Sequence, residues 1–155
     1  MNSNFTESEY GYNYKDHILE QYKIYIEMSD RISQRRLTTN TFFISANTFL
    51  ITMVTIFSDF DFTVFRLTAI MGIILSFAWY FLLNSYRQMN SSKFKVIHEM
   101  EDLLPLSIYK EEWNKLEHGK NKKLYWPVSH LEKMFPVLMG IFYIILFVYT
   151  FGISL

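Results

Sequence analysis

Residues 27–58, EMSDRISQRRLTTNTFFISANTFLITMVTIFS, decide the fold because charge stops abruptly within them. The last charged residue is Arg36, and residues 37–58 contain no charge, no Pro and no Gly. At a rise of ~1.5 Å per residue, this uncharged stretch makes about 33 Å of helix, enough to cross a hydrocarbon core of roughly 30 Å. We therefore predict one continuous helix that begins near residue 13, outside the membrane, and spans the bilayer over residues 37–58.

This predicted span is unusually polar. Its polar residues are Asn40, Thr41, Ser45, Asn47, Thr48, Thr52 and Thr55. Spacings of four and three residues place the five hydroxyl-bearing residues on one face, and we expect the two asparagines beside that face. Because lipid offers no hydrogen-bonding partners, such a face should turn toward another helix or a wet cavity. Two interpretations stay open, namely helix–helix packing and the lining of an aqueous path in an oligomer.

Two more uncharged stretches follow, and each is long enough to span a bilayer. The sequence therefore predicts an all-α membrane protein with three transmembrane helices, the first two of which extend into the cytoplasm as an antiparallel helical stalk. The predicted parts are a disordered N-terminus (1–12), a cytoplasmic amphipathic helix (13–36), a first span (37–58), an external loop (59–66), a second span (67–86), a cytoplasmic helical region (87–133) and a third span (134–155).

Helical spacing also predicts which faces of the stalk meet. On the first helix the face is Ile18, Tyr22, Tyr25, Ser29 and Ile32. On the second helix it is Asn90, Phe94, Ile97, Glu101 and Leu104. Lys and Arg are concentrated in the two predicted cytoplasmic regions, five in the first and nine in the second, against Arg66 alone in the external loop. The positive-inside rule then places the N-terminus in the cytoplasm and the C-terminus outside.

The chain lacks the residue patterns of an enzyme. It contains no Cys, its four His are scattered, and its five Gly form no phosphate-binding loop. We expect no catalytic residues, no metal site and no cofactor. Three acidic residues, Glu99, Glu101 and Asp102, lie close together, and we interpret them as a solvated charged face.

Two basic groups are candidate control sites. The first lies near the predicted inner membrane surface and consists of Arg31, Arg35, Arg36, Arg87 and Lys93. Anchoring to lipid headgroups, ion pairing within the stalk, and an anion or nucleotide site formed by repeated arginines all fit this group. The second group precedes the third span and consists of Lys120, Lys122, Lys123, Tyr125 and Trp126. It fits either an interfacial anchor or a site where bases stack on the aromatic rings while lysines hold phosphates.

Several of these residues carry a family resemblance. SDRISQRR at 29–36 followed by NTFF at 40–43, then SYR at 85–87 and LP at 104–105, resemble the RipA family of small bacterial inner-membrane proteins. The resemblance continues through Glu112-Trp113, Leu124-Tyr125 and Glu132, and it covers about residues 14–145. It implies a homo-octamer in the bacterial inner membrane. The family is similar to small multi-span effectors of nucleotide-signalling and antiphage systems, which implies a ligand-controlled pore.

Together, these observations lead to two functional hypotheses. The first is a homo-oligomeric inner-membrane ion channel or pore, controlled by a nucleotide or oligonucleotide ligand and acting in stress or antiphage defence. The alternative is a non-conducting oligomeric scaffold that recruits a cytoplasmic protein partner through its stalk. In both hypotheses the partners include the lipid bilayer and other copies of the same chain.

Overall fold

The computed structural model describes residues 5–56, 62–125 and 128–152, and helices dominate these ranges. In chain order the elements are α1 (Glu7–Tyr10), α2 (Tyr14–Ile56), α3 (Phe62–Glu101), α4 (Ile108–Lys115), a short 3-10 turn (Glu117–Gly119) and α5 (Val128–Gly152). Three helices are long and apolar enough to cross a membrane: α2, α3 and the Leu131–Thr150 part of α5. The predicted fold class, an all-α membrane protein with three spans, is confirmed.

The helix ends differ from the expected boundaries at two places. Residues 1–12 were expected to be disordered, but α1 forms within them because the Glu9 carboxylate accepts hydrogen bonds from the Thr6 backbone N–H (2.8 Å) and hydroxyl (2.7 Å). The loop expected at 59–66 overlaps the start of α3, which begins at Phe62. Residues 59–61 of that loop, and residues 57 and 58 of the predicted first span, lie outside the described residues.

The chain divides into two compact units, and the first is built from the described parts of Met1–Gln34 and Tyr86–Pro127. In it, the N-terminal part of α2 packs antiparallel to the C-terminal part of α3. Two hydrogen bonds fix the register, from the Ser29 hydroxyl to Asn90 Oδ1 (3.1 Å) and from the Tyr22 hydroxyl to Glu101 Oε1 (3.0 Å). These residues belong to the two faces that helical spacing predicted.

Glu101 joins three elements of this unit. Its side chain is 0 % exposed, and besides Tyr22 it accepts hydrogen bonds from the backbone N–H groups of Tyr109 (2.8 Å) and Lys110 (3.0 Å). Those N–H groups belong to the first turn of α4, which has no hydrogen-bonding cap from its own N-cap residue, Ser107. The carboxylate therefore caps α4 from another helix, in the direction that the helix dipole favours. The interpretation of this carboxylate as part of a solvated face was wrong.

The second unit is built from the described parts of Arg35–Ser85 and Val128–Leu155, and α3 lies at its centre. The apolar window of α3 is 33 % buried, against 11 % for that of each of the other two candidate spans. Trp79 stacks on Phe43 of α2 with ring centroids 5.6 Å apart. Gly72, seven residues earlier and therefore on the same face of α3, lies against α5, and a Cβ added there would be less than 3.0 Å from the Tyr143 ring. Small residues thus allow close packing of two spanning helices.

Candidate functional site

The hydroxyl face of α2, defined by Thr41, Ser45, Thr48, Thr52 and Thr55, is exposed along its whole length in the single chain. At ~100° per residue, this face lies about 120° to 160° around the helix from Phe43 and Asn47, which are both buried. The packing of one chain therefore uses the opposite side of α2. The hydroxyl face remains available to contact another copy, water or lipid.

Most of these hydroxyls already have a partner in their own helix. Thr41 donates to the Leu37 carbonyl (3.1 Å), Thr48 to Ile44 (2.9 Å) and Thr52 to Thr48 (2.8 Å). The hydroxyl proton is thus satisfied, while the oxygen keeps a lone pair that can accept a bond from water or coordinate a cation. The face is consequently wettable and carries no charge.

The two asparagines lie about 100° to 120° around α2 from the centre of the hydroxyl face, on the side that packs within the chain. Asn40 accepts a hydrogen bond from Trp79 Nε1 of α3 (2.8 Å), and Asn47 is 1 % exposed, with its Nδ2 donating to the Phe43 carbonyl (2.7 Å). Both amides therefore belong to the packing face within the chain. The physical reason is the ~100° rotation per residue, which turns Asn40 and Asn47 well away from their neighbours Thr41 and Thr48.

The outer faces of the other two spans are different in character. Between residues 67 and 84 of α3, and between residues 134 and 149 of α5, every exposed side chain is apolar or aromatic. Ile74 and Ile145, for example, are more than half exposed. Such surfaces suit acyl chains or apolar helix contacts. Among the described spanning residues, a continuous polar surface is thus found on α2.

Charged side chains connect the three spanning helices at one end of the second unit. Arg36 Nε lies 3.3 Å from Glu132 Oε2, and both side chains are about four-fifths buried. Lys133 donates to Asn84 Oδ1 (2.5 Å), and its ammonium lies 5.7 Å from the ring centre of Tyr80. These contacts link the start of the first span, the end of the second and the start of the third. Among these residues, Arg36 was a predicted control residue and Glu132 was named only for the family resemblance. Lys133 and Asn84 were not predicted, although their positions at the predicted span ends were the available signal.

The other members of the first basic group are spread over separate contacts. Arg31 pairs with Glu27 on its own helix (2.7 Å), and the Lys93 ammonium lies 4.2 Å from the Tyr25 ring centre. Arg35 and Arg87 are exposed. Each chain therefore uses Arg31, Arg36 and Lys93 in contacts of its own. Neither of the two ion pairs joins the helices of the stalk, so ion pairing across the stalk stays a prediction.

The second basic group lies on an exposed part of the first unit. Lys120, Lys122 and Lys123 are exposed, and the Tyr125 ring contacts Trp113 edge-on at 6.2 Å. The chain reaches this cluster through a turn in which Glu117, His118 and Gly119 all have positive φ. Trp126, the remaining predicted member, lies outside the described residues.

The fold and the spans define the chain as an α-helical membrane protein. A family model, that of the octameric membrane protein family (8xMP), matches residues 19–152. The chain therefore belongs to the octameric membrane protein family. No curated protein and no solved structure matches it.

Membership supports self-association in a membrane, with the octamer as the family's assembly. The narrower resemblance to RipA-type proteins, the inner-membrane location and the orientation of the termini stay predictions.

Proposed function

We propose that the protein is a homo-octameric membrane channel in which the hydroxyl face of α2 lines the conducting path. The position of that face carries the proposal, because it is a polar spanning surface that packing within one chain leaves uncovered. Three helices are too few to enclose a path, so several copies must surround it. In an octamer of this kind, the apolar surfaces of α3 and α5 would face lipid, and the hydroxyl face of α2 would face water at the central axis.

The chemistry of the face suggests what it conducts. Its hydroxyl oxygens accept hydrogen bonds from water and coordinate cations weakly, and the described part of the span, residues 37–56, contains no charge. A path of this kind passes small hydrated ions without strong binding. Any selectivity by charge must then arise outside the span, where the partly buried Arg36–Glu132 pair directly precedes its first residue, Leu37.

Ion flux through liposomes that contain the purified octamer tests this proposal. Thr48→Leu replaces a hydroxyl with a larger apolar group on the proposed lining and should reduce flux strongly. Ile145→Leu creates the same residue on the exposed face of α5 and serves as the matched control, with flux unchanged. Equal flux in wild type and Thr48→Leu, with octamer content verified, would remove the lining assignment.

The proposal extends to control from the cytoplasm by an anionic, nucleotide-type ligand, in stress or antiphage defence in the bacterial inner membrane. Support comes from the exposed Lys120, Lys122 and Lys123 beside the Trp113–Tyr125 contact, since lysines hold phosphates and aromatic rings stack on bases. Exposed Arg35 and Arg87 are the remaining candidates.

Titration of a fluorescent nucleotide tests this control site. Replacing Lys122 and Lys123 together with Gln should weaken nucleotide binding. Lys115→Gln, which removes one exposed charge from α4, should not change it.

One observation favours the alternative, a non-conducting scaffold that recruits a cytoplasmic protein. The first unit exposes large apolar side chains near α4, with Leu106 71 % and Ile108 64 % exposed. Surfaces of this kind often contact proteins. If the scaffold is correct, liposomes that contain intact octamer retain ions, and Leu106→Ser abolishes partner capture without affecting the membrane.

A further inference from the structure

In the second unit, three buried polar side chains each have one oxygen atom that has no hydrogen-bonding partner. They are Asn47 of α2, Ser76 of α3 and Tyr143 of α5, which are 1 %, 4 % and 0 % exposed. The unpartnered atoms are Asn47 Oδ1, Ser76 Oγ and Tyr143 Oη. Each buried polar group left in this way costs about 1–3 kcal/mol, so a native structure rarely contains three together.

The helix register places the three side chains at one level. On the antiparallel helices α2 and α3, the Phe43–Trp79 stack is the reference. One turn toward the C-terminus of α2 and one turn toward the N-terminus of α3 bring Asn47 opposite Ser76. On α3 and α5, the closest neighbour of the Gly140 Cβ position is Ser76 Cβ. Tyr143 is one turn beyond Gly140, and side chains in a helix lean toward its N-terminus, so its hydroxyl points back toward this level.

We propose that Asn47, Ser76 and Tyr143 together bind an internal water molecule. Because Asn47 Nδ2 donates to the Phe43 carbonyl, the carboxamide orientation is fixed and Oδ1 is the side that accepts. The two hydroxyls each donate one bond and accept others. One water that donates to Asn47 Oδ1 and accepts from the Ser76 and Tyr143 hydroxyls makes three bonds, the usual number for a buried water.

Gly140 supplies the room for this water. A Cβ at Gly140 would meet Ser76 Cβ at 3.6 Å, an ordinary van der Waals distance, so the backbone there leaves space about the size of a methyl group beside Ser76. A water molecule is of similar size. The water would link all three spans inside each chain, and this role does not depend on whether the octamer conducts.

Because that space is small, the sign of the stability change in Gly140→Ala distinguishes a dry site from one that holds water. Ala is normally favoured over Gly inside a helix, so Gly140→Ala should stabilise a dry site, where it meets no clash. If it displaces the water instead, the folding equilibrium constant should fall by at least about tenfold, because the buried polar groups lose their partner. Gly152→Ala on the same helix is the control, since its Cβ has no neighbour within 4 Å. Titration of the intact protein with dodecyl sulfate measures both.

A second measurement does not depend on filling the space. Ser76→Ala and Tyr143→Phe each remove one hydroxyl, and through a shared water the double variant should lose clearly less than the product of the two single fold-changes. The proposal would be overturned if the double variant lost the full product of the two single fold-changes, or if Gly140→Ala were more stable than wild type. Stability that depends on exchanging potassium for sodium at constant ionic strength would also overturn it, since it would indicate a cation instead.

Discussion

Glu101→Gln is the substitution that tests the junction of the first unit most sharply. In the native protein the buried carboxylate accepts three hydrogen bonds, from the Tyr22 hydroxyl and from the backbone N–H groups of Tyr109 and Lys110. A glutamine of the same shape keeps Oε1 and its two bonds. The amide nitrogen that replaces Oε2 then faces the Lys110 N–H, so two donors oppose each other and one charge-assisted bond is lost.

The expected cost follows from these contacts. A hydrogen bond to a charged group contributes about 1.5–3 kcal/mol, and the two bonds that remain become weaker when the charge is removed. Because the side chain is 0 % exposed, water cannot replace the lost partner. We therefore expect α4 to lose about 2–3 kcal/mol of protection, which corresponds to an opening equilibrium about 30- to 150-fold larger.

Hydrogen–deuterium exchange of the intact protein, measured by mass spectrometry, reports this opening directly. The amides of Ile108–Lys115 should exchange faster in Glu101→Gln by that factor, with exchange in α5 unchanged. Glu112→Gln removes the same charge from an exposed position of α4 and should have almost no effect. Unchanged protection of α4 in Glu101→Gln, or equal effects of the two variants, would refute the capping role.

Two further predictions concern close packing and pH. Gly72→Ala should destabilise the second unit by about 1–3 kcal/mol because the added Cβ overlaps the Tyr143 ring. Gly152→Ala is the control, since its Cβ meets no atom within 4 Å. Thermal unfolding in detergent compares the two variants, and equal stability would contradict the close packing at Gly72. Burial, and then the bond to Glu101, raise the pKa of Tyr22 to about 12. The stabilisation from this phenol should therefore be full below pH 10 and decrease as the pH rises toward 12. Tyr22→Phe should reduce the loss of stability in alkaline unfolding curves, and the remainder includes Tyr109, whose pKa burial also raises.

The three spans and the stalk faces were predictable because each depends on a local pattern. An uncharged stretch of sufficient length predicts a span whatever its neighbours are. In the same way, the spacing of Tyr22 and Ser29 predicts a shared face without knowledge of the partner helix. Both patterns are properties of one helix, and sequence order alone is enough to find them.

The misassigned residues depend on contacts distant in the chain. Glu101 resembles its exposed neighbours Glu99 and Asp102 in charge, although helical spacing also placed it on the stalk face. Its contacts with Tyr22 of α2 and with the first turn of α4 explain its burial. Asn47 is adjacent to exposed Thr48 in sequence, but the rotation of ~100° between consecutive residues places it on the buried packing face of α2. Polarity alone does not tell which side of a helix a neighbour will cover.

In the proposed channel, the hydroxyl face of α2 meets water within the octamer. Because the chain contains no Cys, single-cysteine variants give a clean measurement of modification by a charged, membrane-impermeant thiol reagent. We predict that Thr48→Cys in the reconstituted octamer reacts rapidly and that the reaction blocks ion flux, while Ile145→Cys on α5 does not react. A Thr48→Cys variant that is as unreactive as Ile145→Cys would place the hydroxyl face in lipid or in a dry contact and contradict the account.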